Sequence, residues 1–456
     1  MELFLNTLVF YIGLYLLRNF GKWLLILFFI NNSIAVYFIN TYGVIIDKTM
    51  MGNVFNTNFE ESSSFFSTGL IFYIIVLGIL PSFLIFKVKI INSIKIKKFM
   101  LHIVLSLCFL LGLIYVNASN WLWIDKNSKT LGGLAMPWSY VVNTNRFYLD
   151  KYKKNKKEIL LPDAYAKNNE KSIVVLVIGE SARSSNFSLY GYKKNTNPLL
   201  SKIDNIYHFN AESCATYTTA GVKSILEHEN TNQPYEILPN YLFRNDFEVI
   251  WRTTNWGEPS VKINRYQNKE TLEKLCKETQ CNYDEVLLDG LTKQIRNSEK
   301  NKILVVLHTS TSHGPTYFKK YPEKFETFSP VCKSVELNNC TNEELMNAYD
   351  NTIIYTDYIL KSLIDKLKTL KDYKSSMLFV SDHGESLGEN NLYMHGIPTG
   401  IAPKDQLEIP FIVWVSKNSK TLKDKKLLSQ HHVFYSVLDF LGIESPIYDE
   451  DMSIFK

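Results

Sequence analysis

Four segments almost free of charge lie within the first 116 residues: Leu3–Leu17, Trp23–Ile39, Gly69–Phe86 and Met100–Val116. The last three approach the roughly 20 apolar residues that a helix needs to cross a bilayer, and the first is a shorter span. Buried helices of a soluble domain keep a polar face. These interiors have almost none, so the sequence predicts four membrane spans.

Loop charge orients them. The short loop with Arg18 and Lys22 is basic, as is the loop carrying Lys87, Lys89, Lys95, Lys97 and Lys98. Between them, Thr41–Phe65 holds Asp47, Glu60 and Glu61. Cytoplasmic loops concentrate Lys and Arg, which places both basic loops inside and everything after Val116 outside, with Met1 outside as well. Cysteine usage agrees with that placement. Cys276 and Cys281 are close in sequence, as are Cys332 and Cys340, outside any Cys-x-x-Cys zinc pattern. Two local disulfides and an oxidising compartment follow. Cys108, inside an apolar run, reads as a buried free thiol, and Cys214 is left unpaired. The net charge of +5 is small for 456 residues and the lysines are scattered, which gives no support to nucleic-acid binding.

Three regions result: a transmembrane helical domain over residues 1–117, a connector with interfacial helices over 118–170, and a catalytic domain over 171–456. The connector holds Trp121, Trp123 and Trp138, whose indoles suit a membrane interface, and includes the run Lys151–Lys157, read as a solvated face or linker. From Lys171 onwards apolar runs alternate with helical stretches, as in an α/β domain. Expected strands are Ile173–Ile178, Glu248–Thr253, Glu285–Leu288, Ile303–His308, Met377–Ser381 and Phe411–Val415. Expected helices are Glu343–Leu370, with Tyr349, Ile353, Tyr355, Ile359 and Leu363 near one face, and Gln430–Leu441.

The chemistry-bearing stretches sit mostly at the ends of those strands. Gly179-Glu180-Ser181-Ala182-Arg183 follows the first, Ser312-His313-Gly314-Pro315 another, and Asp382-His383-Gly384-Glu385 a third, with Tyr393-Met394-His395-Gly396 shortly after. Glu212–Gly221, with Thr216, Thr218 and Thr219, precedes a helix. An Asp oxygen and a His nitrogen are good zinc ligands, and strand ends point such groups into a crevice. A helix N-terminus offers N–H groups to phosphate. Zinc lowers the pKa of a bound hydroxyl, so that a Thr can attack phosphorus near neutral pH. Two further imidazoles can hold substrate, protonate a leaving group or bind a second metal. His208, His228, His308, His431 and His432 lack such context and read as structural.

With these residues assembled, the sequence resembles the bacterial phosphoethanolamine transferases of the lipid A and polymyxin-resistance type. These are membrane-anchored members of the alkaline phosphatase and sulfatase superfamily. The resemblance is carried by Asn31–Ala35, Ile46–Met50, Gly179–Arg183, the Thr cluster, Ser312–Pro315 and Ser381–Glu389. It implies an α-helical membrane domain followed by an α/β, alkaline phosphatase/sulfatase-like domain with a central, mostly parallel sheet. It implies that Glu180, Thr218, Asp382 and His383 bind catalytic zinc (Zn2+). Thr218, four residues after Cys214 as in family members, is then the nucleophile, with Thr216 and Thr219 its rivals. His313 and His395 match substrate-side histidines, and Asn255 a polar position near the phosphoethanolamine group. The implied reaction is ping-pong: phosphoethanolamine passes from phosphatidylethanolamine through a phospho-Thr to lipid A, lipooligosaccharide or another envelope glycan. The implied setting is a multi-pass monomer in the bacterial inner membrane with its catalytic domain in the periplasm.

The sequence departs from the family in three places. Four spans are found where members commonly have five, Cys214 lacks the partner it often has, and no basic residue directly follows Asn255, although Lys262 is near. Phosphoglycerol transferases also use a Thr and form the competing enzymatic reading. A sulfatase would carry a Cys/Ser-x-Pro-x-Arg pattern, which the Thr cluster lacks. A membrane-tethered binding module would close a structural zinc site with four saturating ligands and no reactive hydroxyl.

Overall fold

The structure, a computed structural model, describes residues 2–57, 59–89, 94–153, 157–231, 233–276, 281–417 and 419–456, without the side chains of 60, 61 and 150–153. The chain forms two compact units, which divide between residues 153 and 154.

In the first unit, helices Asn19–Tyr42, Thr68–Lys87 and Ile96–Val116 are long and apolar enough to cross a membrane, while Glu2–Leu17 is shorter. Twenty residues rise about 30 Å, the thickness of the hydrocarbon core. Their starts and contacts follow from small polar residues. The Ser67 hydroxyl accepts from Leu70 N at 3.0 Å to open one of these helices. Asp47 caps the short helix Lys48–Asn56 by accepting from Met50 N at 2.8 Å. Gly78 lets two of the apolar helices close in, since a Cβ there would stand 2.9 Å from Ser33 Oγ. Trp138 is packed inside this unit against Phe10 and Phe28, and its indole donates to Asn6 Oδ1. Cys108 is exposed rather than buried, because Ile96–Val116 turns most of its apolar surface outward. The Glu60 and Glu61 side chains lie outside the described residues.

The second unit is built on an eight-stranded sheet. Its strands are β1 (Ser172–Gly179), β2 (Ile206–Glu212), β3 (Glu248–Thr253), β4 (Arg265–Gln267), β5 (Lys302–His308), β6 (Lys374–Ser381), β7 (Glu408–Val415) and β8 (Leu428–Ser429). Their order is β8-β2-β7-β6-β1-β5-β3-β4, and β7 alone runs antiparallel to its neighbours. β1, β5 and β6 are buried on both faces, which is why their sequences are continuous apolar runs. The expected strand at Glu285–Leu288 is instead a 3-10 turn over Asp284–Leu288. The edge beside β3 is taken by β4, and the turn buries Val286, Leu287 and Leu288 together.

Helix Asn342–Lys368 covers one face and opens with a capping box between Thr341 and Glu344. Helices Thr218–Leu226 and His432–Leu441 complete the layers. The disulfides Cys276–Cys281 and Cys332–Cys340 are both formed, and Cys214 is free.

Candidate active site

The sheet register sets the site. Gly179 at the end of β1 pairs with Ser381 at the end of β6. The next residues, Glu180 and Asp382, therefore leave the sheet side by side although 202 positions separate them in sequence. Ser181, held at φ 52°, donates its N–H to Asp382 Oδ1 at 3.0 Å and its hydroxyl to Glu180 Oε1 at 2.8 Å. Asp382 Oδ1 also accepts from His383 N at 2.7 Å. His383 Nδ1 donates to Gly384 O at 2.8 Å, which leaves the Nε2 lone pair facing the carboxylates.

Around that nitrogen the distances are 3.5 Å to Glu180 Oε1, 3.3 Å to Asp382 Oδ2 and 3.4 Å to Thr218 Oγ1, and Thr218 Oγ1 stands 3.5 Å from Glu180 Oε2. Four ligands about 2.0–2.1 Å from a tetrahedral zinc are separated by about 3.3–3.4 Å, so this spacing fits such an ion. A second observation points the same way: Asp382 Oδ2 is buried with no hydrogen-bond partner among the described residues. Burial and the neighbouring Glu180 carboxylate hold the Asp382 pKa well above its ordinary value. Burial works against Glu180 too, but the imidazoles of His383, His313 and His395 outweigh it and hold that group low. Burial, helped by His395, pushes His383 down to about 3. An imidazole nitrogen and two carboxyl groups converging in a buried space are a donor set made for a cation.

Thr218 is the first residue of its helix, and its hydroxyl donates to Glu180 Oε2. Thr216 is turned elsewhere, donating to Ile397 O at 2.7 Å, and the Thr219 methyl faces Gly257. His395 joins the cluster, since Glu180, His383 and His395 offer ligand atoms within 4.8 Å of one another. The His395 ring lies 4.2 Å from that of His383 and 5.7 Å from that of His313. Asn255 reaches Glu180 as well, Nδ2 donating to Oε2 at 2.7 Å. Lys262 is engaged by Glu158 at 2.6 Å.

Three residues that border the site were not singled out from the sequence. Glu385, fully buried, accepts from His395 Nδ1 at 2.8 Å and from the Tyr317 hydroxyl, and so orients that imidazole. Gln430 accepts from Cys214 N at 2.9 Å and donates to Asp382 O at 2.7 Å, which ties the Thr cluster to the Asp-His loop without a disulfide. His308 lies beside Asn255. Only Glu385, inside the Asp-His motif, carried any local signal.

Known proteins resemble this chain along most of its length. The family described as Sulfatase matches residues 172–443, and the family described as Phosphoethanolamine transferase EptA/EptB matches residues 4–152. Phosphoethanolamine transferase EptA of Helicobacter pylori is 42% identical over 95% of this chain and 85% of its own length. The chain belongs to the phosphoethanolamine transferase family. Phosphatidylethanolamine transferase Mcr-1 from Escherichia coli is 33% identical to this transferase over 87% of the chain and 79% of its own length. The integral membrane lipooligosaccharide phosphoethanolamine transferase A from Neisseria meningitidis superposes with a TM-score of 0.90 at 28% identity, covering 99% of this chain and 89% of that one. This transferase is thus a membrane protein whose C-terminal unit has the sulfatase-like fold of the alkaline phosphatase superfamily.

Proposed function

We propose that this transferase moves phosphoethanolamine from phosphatidylethanolamine to lipid A or lipooligosaccharide through a covalent phospho-Thr218. The donor is suggested by the name of the Mcr-1 relative and the acceptor by that of the meningococcal enzyme. The observation that carries the reading is the Thr218 hydroxyl at the meeting point of Glu180, Asp382 and His383, at the first turn of a helix.

Glu180, Thr218, Asp382 and His383 hold a zinc ion in this reading. When bound, zinc lowers the pKa of the Thr218 hydroxyl and neutralises charge on the phosphoryl oxygens. The N–H groups at the start of helix Thr218–Leu226 cradle the donor phosphate. Glu180 Oε2 accepts the Thr218 hydroxyl and aims the oxygen at phosphorus. As the Thr218 Oγ1–P bond forms, the hydroxyl proton passes to Glu180 Oε2, to return when Thr218 is released. The P–O bond to diacylglycerol breaks, and His395 or His313 gives a proton to the departing oxygen. Glu385 holds His395 Nδ1 and so keeps the ring in place for that transfer. In the second half a hydroxyl or phosphate of the acceptor displaces Thr218, and the same imidazole receives the acceptor's proton. Water stays out because the four inner residues are almost wholly buried.

The basic loops of the first unit face the cytoplasm in this reading, and the disulfide-bonded second unit works as a monomer in the periplasm. Mass spectrometry of the full-length protein incubated with phosphatidylethanolamine tests the covalent step. The expected adduct sits on Thr218 in a peptide spanning Glu212–Lys223, and Thr218→Ala abolishes both adduct and transfer while the fold is kept. An adduct on Thr216 or Thr219 would move the nucleophile. Sustained transfer by Thr218→Ala would end the covalent account.

A further inference from the structure

Behind Glu180 lies a line of side chains, Asn255, His308 and Glu258, of which His308 is wholly buried and the other two partly so. Asn255 Nδ2 donates its two hydrogens to Glu180 Oε2 at 2.7 Å and Thr309 O at 2.9 Å, and it stands 3.3 Å from His308 Nε2. An amide nitrogen so surrounded cannot exchange places with its own oxygen. It also bears on the state of His308. A proton on His308 Nε2 would face an amide nitrogen that accepts no hydrogen bond, which favours the tautomer protonated on Nδ1. On the Nδ1 side the structure supplies acceptors: Glu258 Oε2 and Thr253 Oγ1, each at 3.5 Å. Glu258 Oε2 is buried and has no hydrogen-bond partner among the described residues, while Oε1 is fixed by the Tyr266 hydroxyl at 2.5 Å. The His308 side chain is fully buried at the end of β5, with Trp251 set edge-on against its ring.

We propose that Glu258 and His308 form a positioning pair that sets the imidazole tautomer, fixes the Asn255 amide on Glu180, and thereby orients this carboxylate toward the metal. The pair reaches the reaction only through Asn255 and Glu180, and the inference rests on the reading of Glu180 as a metal ligand. A carboxylate that must meet a cation with one oxygen and a Thr hydroxyl with the other tolerates little rotation. Partners of this kind behind a ligand typically govern metal affinity by roughly 10–100-fold.

The test measures zinc affinity of the full-length protein in detergent by competition with a chromogenic chelator, beside kcat and KM for phosphatidylethanolamine. Glu180→Gln serves as the reference that loses zinc. Glu258→Met keeps the length and removes both acceptors, and His308→Phe removes the ring nitrogen beside Asn255. Both are expected to weaken zinc by about 10-fold or more and to lower kcat while KM stays within about twofold. His308→Gln places an amide oxygen where Nε2 stood and should stay within about threefold of the parent. In that background Glu258→Met should cost nothing further, because a glutamine has no tautomer to set. This last comparison survives even if His308→Phe fails to fold. Parental zinc affinity in Glu258→Met and His308→Phe, with Glu180→Gln deficient, overturns the pair alone. An equal loss from Glu258→Met in the His308→Gln background does the same. Parental zinc affinity in Glu180→Gln overturns the metal reading itself, and this inference with it.

Discussion

Thr218 owes its place to a glycine one helical turn further on. A Cβ on Gly221 would lie 2.1 Å from Asp382 O, so the helix can approach the Asp-His loop only because that atom is missing. In Gly221→Ala the helix has to move by about 1 Å, a shift of the size that costs on the order of 100-fold in a reaction needing aligned groups. Overpacking at a site this tight costs roughly 1–3 kcal/mol of stability. The control is Gly400→Ala, where nothing stands within 4 Å of the added carbon. Transfer assays with thermal melting should therefore show Gly221→Ala crippled and less stable, and Gly400→Ala close to the parent. Gly257 works from the other side: at φ +95° its missing side chain leaves room for the methyls of Thr218 and Thr219.

Among the elements, helix Asn342–Lys368 links the disulfide-bonded loop to the site. Cys332 N donates to Glu344 O at 2.9 Å in its first turns, and Asn347 donates to Pro330 O at 2.9 Å. Further along, the Tyr349 hydroxyl donates to Ser181 O at 2.7 Å and accepts from Arg183 N at 3.0 Å, supporting the loop that carries Glu180. Closing the loop from Cys332 to Cys340, a separation of 8 residues, restrains the unfolded chain by about 2.5 kcal/mol. Cys332→Ser with Cys340→Ser should lower the melting temperature by about 2–4 °C per kcal/mol lost. Transfer at low temperature should persist, since Tyr349 is held by its own burial. A loss of transfer without a loss of melting temperature would contradict this. The sequence showed this helix because its buried face repeats over seven turns, and it showed β1, β5 and β6 because each is an apolar run. β2 was hidden: Ile-Tyr-His-Phe-Asn-Ala-Glu keeps most of its residues at least partly exposed, so no alternation marks it. The run at Val286 read as a strand because a compact turn buries the same apolar residues. Asp382 and His383 were legible at the end of such a run. Glu385 was legible only as part of that motif, and Gln430 and His308 were not legible, because their contacts arise from pairings set by the sheet register and by loops distant in sequence.

At the scale of the whole molecule, the membrane unit and the soluble unit respond to different solvents, and pH acts chiefly through the second. Burial holds His228, His431 and His432 below the ordinary histidine value. The unfolded chain then takes up protons first as pH falls below about 6.5, so the stability these groups confer is complete above that pH and is lost through the acid range. Asp357 runs the other way. Burial pushes it up to about 7, although Leu199 N and Leu200 N donate to it at 2.8 and 3.0 Å. Its folded form keeps a proton that the unfolded form has released, so its contribution is complete below about 4 and is lost as pH rises toward 7. Between pH 5 and 7 these histidines therefore make stability rise with pH, while Asp357 makes it fall. The two limbs separate when each variant is compared with the parent at every pH, because groups common to both cancel, the metal ligands included. His431→Gln should flatten the rise and Asp357→Asn should steepen it, whatever either does to the absolute melting temperature. Melting curves of the full-length protein in detergent from pH 5 to 8 decide this: parallel curves for parent and variants would show that burial leaves these groups at their ordinary values.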